Sequence, residues 1–106
     1  MLSRTEEHIL LAVWRLQQNA YGLTIRQLLE EMTGKRYSIG GIYVPLDRLA
    51  MKGLLSPRQG EPTRERGGMA KRYYTLTESG LKSLTETKRV HDKLWADLPG
   101  PVVAKT

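Results

Sequence analysis

The apolar residues of this chain change period once at Leu54 and change back at Thr77, which leaves room for very little sheet. Before the first switch, three segments carry helical spacing. Residues 6–18 read EEHILLAVWRLQQ, with Ile9, Leu10, Val13, Trp14 and Leu16 at helical intervals and Leu11 and Ala12 widening the apolar surface. A helix greasy on more than one side is expected to be buried by more than its own domain. Asn19 to Gly22 breaks it, with Gly22 suited to a positive φ angle. From Thr24 to Met32, Ile25, Leu28, Leu29 and Met32 follow the i, i+3, i+4, i+7 template, with Thr24 expected as N-cap and Gln27 completing a capping box. Ser38 is expected to cap a third helix running to about Lys52 and closing at Gly53. Its inner face is Ile39, Ile42, Leu46, Leu49 and Ala50. Its outer face is Gly40, Gly41, Val44, Asp47, Arg48, Met51 and Lys52, with Tyr43 at the boundary. Pro45 deletes the backbone bond to the carbonyl of Gly41 and implies a short, bent helix.

Between the switches, Leu54 to Gln59 and Lys71 to Leu76 read as short strands, the second (KRYYTL) rich in aromatic and β-branched residues. GEPTRERGGMA between them is a basic hairpin tip. Thr77 caps a fourth helix with Glu78 in its first turn, and Pro99, Gly100 and Pro101 stop it. The 106 residues therefore hold one domain and one appended helix. The fold class is mainly α with a small β-hairpin: a winged helix-turn-helix over residues 1–76, a C-terminal dimerisation helix over 77–98, and a loose tail over 99–106. Leu84, His91 and Leu98 lie seven apart, with Thr87 and Leu94 interleaved, a stripe suited to a partner helix. Trp95, together with Leu10 and Trp14 of the first helix, completes the expected dimer interface.

Charge says what the domain faces. The net charge is +6, and nine basic residues against three acids between Lys35 and Arg72 account for all of it. Clustered cations gain free energy by releasing counterions from phosphates, so a polyanion such as double-stranded DNA is the natural partner, with a solubilising surface as the plainer reading. The chain has no cysteine, which removes disulfides and thiolate chemistry. It shows no glycine-rich phosphate loop, nucleophile elbow or His–carboxylate set, so no enzyme and no cofactor are expected. His8 and His91 stand alone, and no metal site is expected. No apolar run approaches the roughly 18 residues of a membrane span, and the first residues show no long apolar stretch after a basic one, so no leader and a cytoplasmic protein are expected.

In a winged helix the third helix enters the major groove and the wing reaches the neighbouring groove or backbone. The amino end of that helix offers free N–H groups and partial positive charge, and Gly40 and Gly41 let backbone approach phosphate. Ser38 and Tyr43 can hydrogen-bond to phosphate or a base edge, and Arg48 can pair with either. Arg64 and Arg66 at the tip suit minor groove or phosphate, and Lys71 and Arg72 suit phosphate. Each assignment has a duller counterpart. Tyr43 could pack at the core edge, and Arg48 could pair with Asp47 or Glu30. The tip could be a solvated loop, and the glycine pair could serve tight helix crossing.

Three stretches in order carry a family resemblance: ILLAVW followed by AYG, then SIGGIY with RL and KGLL, then KRYYTLTESG. Over Glu6 to about Leu98 the chain resembles the PadR-like transcriptional regulators, in their short form with a single C-terminal helix. The resemblance implies a homodimer in which the C-terminal helix meets helix one of the partner. It also implies a palindromic operator and repression relieved by a small ligand. In some relatives aromatic residues at the dimer interface form an apolar pocket, which makes Trp14 and Trp95 candidates for a small apolar or aromatic effector, against plain packing. Ala50 stands where an acid often follows the Arg-Leu pair, and Gly41 where threonine is common. The readings from other classes are a protein-interaction module and a non-specific architectural DNA binder.

Overall fold

A computed structural model describes residues 1–62 and 70–99. In chain order these form α1 (Arg4–Leu16), a 3-10 turn (Gln17–Asn19), α2 (Gly22–Thr33), α3 (Ile39–Met51), β1 (Leu55–Pro62), β2 (Ala70–Leu76) and α4 (Glu78–Trp95). This is the expected winged-helix order of three helices, a hairpin and a helix.

Local chemistry sets most boundaries. Ser3 accepts from the Glu6 N–H at 3.1 Å while Glu6 accepts from the Ser3 N–H at 2.9 Å, so α1 starts two residues earlier than its apolar pattern. α2 also starts early. Thr24, expected to cap it, is its third residue, and its hydroxyl instead receives the N–H of Tyr21 at 3.0 Å. Gly22 is the first residue of α2 and not a positive-φ hinge; among the described residues the glycines with positive φ are Gly34 and Gly53, which follow α2 and α3. Ser38 caps α3 by accepting from the Gly41 N–H at 2.9 Å, and Thr77 caps α4 by accepting from the Gly80 N–H at 3.0 Å. The helix continues on both sides of Pro45, whose ring is buried.

α1, α2 and α3 close around one core, and Ile9, Leu10, Ile25, Ile42, Leu46 and Leu49 are completely buried in it. Ile39, expected to face inward, is 64% exposed, because it precedes the turn at which α3 meets the body. The hairpin covers the core from the side. Leu55 pairs with Leu76, Pro57 with Tyr74 and Arg58 with Tyr73, before an irregularity between Gln59 and Pro62. Proline is tolerated in β1 because a two-stranded sheet leaves it an unpaired edge. The period of two splits the tyrosine pair: Tyr74 is buried in the core, while Tyr73 faces Tyr21 with ring centroids 5.3 Å apart. The Tyr74 N–H donates to the Ala20 carbonyl at 2.9 Å, tying β2 to the α1–α2 connection.

α4 begins inside the domain. The Thr77 hydroxyl donates to the Gly53 carbonyl at 2.8 Å, and an added Cβ on Gly80 would collide with the Leu54 carbonyl. Leu84 and Thr87 are buried, so the first half of the expected partner stripe is covered by the chain itself. From His91 to Pro99 every described residue is exposed.

A candidate nucleic-acid interface on α3 and the hairpin

The amino end of α3 is free. Ser38, Ile39 and Gly40 are exposed, and a Cβ added to Gly40 would meet nothing within 4 Å. Gly40 therefore serves no helix crossing. The crossing glycine is Gly22, where an added methyl would collide with the Tyr43 phenol ring. Tyr43 is thus packed across the start of α2 and keeps 41% of its surface. Gly41 is half-buried, and its nearest group is the capping hydroxyl of Ser38.

The hairpin lies against this helix through charge. Arg72 of β2 reaches Asp47 on the outer face of α3 at 3.8 Å and stacks over the Tyr74 ring at 5.6 Å. Lys71 sits 4.6 Å above the Tyr21 ring and Arg58 4.7 Å above the Tyr73 ring. Guanidinium and ammonium groups held over aromatic faces keep their charge while losing little further freedom when an anion arrives. Arg58 and the Tyr21–Tyr73 pair were not singled out by the sequence pattern. Period-two alternation in KRYYTL places the two tyrosines on opposite faces, but not which one meets Tyr21.

Arg48 takes a different partner from the two carboxylates that the sequence offered. Its guanidinium is 3.5 Å from the buried carboxylate of Glu6, which also takes Lys52 at 3.1 Å, rather than beside Asp47 or Glu30. The Ser3 N–H, followed by Lys52, holds the Glu6 carboxyl below its ordinary value against the opposing effect of burial. Both cations remain about half exposed on the solvent side. At the α2–α3 turn, Glu30 accepts the Tyr37 N–H at 2.9 Å and lies 3.4 Å from Arg26, which lowers its carboxyl pKa. Arg64 and Arg66 lie outside the described residues.

A second feature is apolar. Leu10 is fully buried in the chain's own core and has no surface for a partner; its neighbour Leu11 and Trp14 are exposed instead. Leu84, also assigned to the interface, is 8% exposed. His91, Leu94, Trp95 and Leu98 remain open, with the Trp95 indole N–H donating to His91 Nε2 at 3.3 Å. Trp14 lines a groove between α1 and α4 with Leu11, Leu81, Leu84 and His91; Trp95 lies outside this groove, so the two tryptophans do not share it within one chain. Among the described residues no His, Asp or Glu group has the arrangement of a metal site, and no helix is long and apolar enough to cross a membrane.

Comparison with known proteins agrees with the geometry. The transcriptional regulator PadR-like family model matches residues 10–86. A PadR-like transcription factor from Bacteroides fragilis is 31% identical, with a TM-score of 0.74, over 84% of this chain and 81% of that one. A PadR family transcriptional regulator from Eggerthella lenta is 26% identical, with a TM-score of 0.66, over 81% and 72% of the two chains. A PadR family transcription regulator from Clostridium difficile shares the fold at 21% identity, with a TM-score of 0.67, over 88% and 95%. No curated protein sequence matches the chain. With the matched region running from the middle of α1 to the middle of α4, this chain belongs to the PadR-like family of transcriptional regulators.

Proposed function

We propose that this regulator is a repressor that binds a pseudo-palindromic DNA operator as a homodimer, acting in the cytoplasm. α3 enters the major groove and the hairpin meets the flanking backbone, with half-sites about one helical turn apart. The observation that carries the reading is the exposed amino end of α3, Ser38 to Gly40, on a helix to which Arg72 fastens the basic hairpin. Ser38, Gly40, Gly41 and Tyr43 form the groove-facing end. Arg48, Lys71 and Arg72 neutralise phosphates, and Arg64 and Arg66 extend that contact from the wing. His91, Leu94 and Trp95 of α4 and Leu98 just beyond it, with Leu11 and Trp14 of α1, supply the dimer contact, and a small apolar or aromatic effector at Trp14 and Trp95 relieves repression.

Gel shifts against a duplex selected from a random pool and against its scrambled counterpart, over a salt series, test the reading. Tight binding to the selected duplex alone is expected. Equal binding to both makes the chain an architectural DNA binder, and no binding makes it a protein-interaction module. Replacing Arg64 and Arg66 by alanine together should weaken binding and flatten the dependence of log K on log salt by about 2, one for each phosphate contact. An unchanged slope removes the wing from the interface.

A further inference from the structure

The outward ridge of α3 is chemically unusual for a surface that reads bases. At helical spacing it presents Gly40, Val44, Asp47 and Met51, the side opposite the buried row Ile42, Pro45, Leu46 and Leu49. Val44 is 57% exposed and Met51 88%, and Ile39 beside them in the first turn is 64% exposed. None of the four ridge side chains is a hydrogen-bond donor. Guanine is read through its O6 and N7 acceptors by Arg or Lys, and adenine by the paired donor and acceptor of Asn or Gln. The ridge has none of these groups. Arg48, the nearest candidate, is turned toward Glu6, and Tyr43 is packed over Gly22.

Exposed valine and isoleucine match one feature of the major groove, the C5-methyl group of thymine. Their surroundings name the occupant. Lys35 and Arg36 lie exposed before the amino end, while Arg72 on the hairpin side pairs with Asp47 and Lys52 at the carboxyl end pairs with Glu6, each still about half exposed, so cations able to meet phosphates border the apolar ridge. Glycine at position 40 removes the side chain that would hold the helix away from the groove floor. Recognition helices contact bases chiefly through their amino-terminal half, which puts Val44 and Ile39 ahead of Met51.

We infer that α3 selects its operator through thymine methyl groups contacted by Val44 and Ile39, with Val44 the principal specificity residue. The inference rests on the DNA-binding reading above and adds to it which base feature is read. Asp47, neutralised by Arg72, adds an acceptor and no donor to the same ridge.

Deoxyuridine replaces thymine with loss of the methyl alone, leaving pairing and hydrogen-bond pattern intact. With the selected duplex, each thymine is replaced singly and the Kd measured by anisotropy for the wild-type chain and for Val44→Ala. At one or two positions in each half-site, deoxyuridine should weaken wild-type binding about fourfold, the worth of one buried methyl. Val44→Ala should lose that sensitivity at the position Val44 contacts while still binding the duplex, as expected of a directly contacted pair; sensitivity at a second position, contacted by Ile39, should survive. Equal affinity for thymine and deoxyuridine everywhere overturns the inference, as does full sensitivity in Val44→Ala or a selected half-site without thymine. Those results leave DNA binding intact. Failure to bind any duplex instead removes the regulator reading itself. Val44 is exposed, so the variant should keep the wild-type melting temperature, which is measured alongside.

Discussion

An alanine methyl placed on Gly22 would fall inside the Tyr43 ring, whereas on Gly40 it would project into open space. The same substitution therefore separates two uses of glycine. Gly22→Ala forces Tyr43 off its seat between α2 and α3 and should lower stability by about 1–3 kcal/mol, the ordinary cost of overpacking. Gly40→Ala removes backbone freedom from the unfolded chain and improves helix propensity, so stability should rise by about 0.5–1 kcal/mol. The added methyl faces the proposed DNA, and affinity should fall as stability rises. Thermal melts and duplex titrations on the two variants measure both quantities. A Gly40→Ala chain that binds as tightly as the wild type would show that no close approach occurs there. The sequence showed the glycine pair at 40 and 41 but not which glycine was crowded, because crowding depends on a ring 21 positions away.

At the scale of elements, what is local was legible and what is long-range was not. The Ser38 and Thr77 caps were readable because each hydroxyl meets an N–H three residues on, a geometry fixed by one turn of chain. Thr24 misled because a hydroxyl near a helix start can receive a bond from behind as well as give the cap, and the backbone at Tyr21 decides which. The broad apolar surface of α1 could not be divided from sequence. Burial takes Ile9, Leu10, Ala12 and Val13 and leaves Leu11 and Trp14, so Leu10 belonged to the core. Least legible was Glu6, whose link to Lys52 crosses 46 positions and joins the first turn of α1 to the end of α3. Its folded-state pKa lies below the ordinary 4.5, so its contribution to stability is complete above that value and is lost as pH falls through the lowered one. Glu6→Gln should therefore cost about 1 kcal/mol at pH 7, the figure kept modest because Arg48 and Lys52 are half exposed. The deficit should shrink as pH drops below 4.5, because the wild-type carboxyl is then protonated too. Urea melts of both chains at pH 7 and at acid pH provide the comparison, and a deficit constant with pH would remove the ionised carboxylate from the account.

For the whole molecule, the decisive feature is that α4 is half inside and half outside. Gly80, Leu84 and Thr87 lock its first turns to the domain, so its direction is set by the core, while Leu94, Trp95 and Leu98 extend apolar surface into solvent. A monomer gains nothing from an ordered apolar helix end, but two copies sharing it would fix the separation of their α3 helices. Double replacement Leu94→Gln and Trp95→Gln tests this directly. Both residues are exposed, at 78% and 58%, so the isolated domain should stay folded with its own stability within about 0.5 kcal/mol. Sedimentation should change from dimer to monomer, and the melting temperature, rising with concentration in the wild type, should become independent of it. Operator affinity should fall by about 10²–10⁴, because the second half-site would no longer be bound intramolecularly, while affinity for a single half-site should be nearly unchanged. That split matters. A domain damaged in its core would lose both affinities together, whereas a domain that has lost only its partner loses the one that depends on two copies held at fixed spacing. A variant that still sediments as a dimer would place the contact on another face and leave the exposed end of α4 without the role proposed for it.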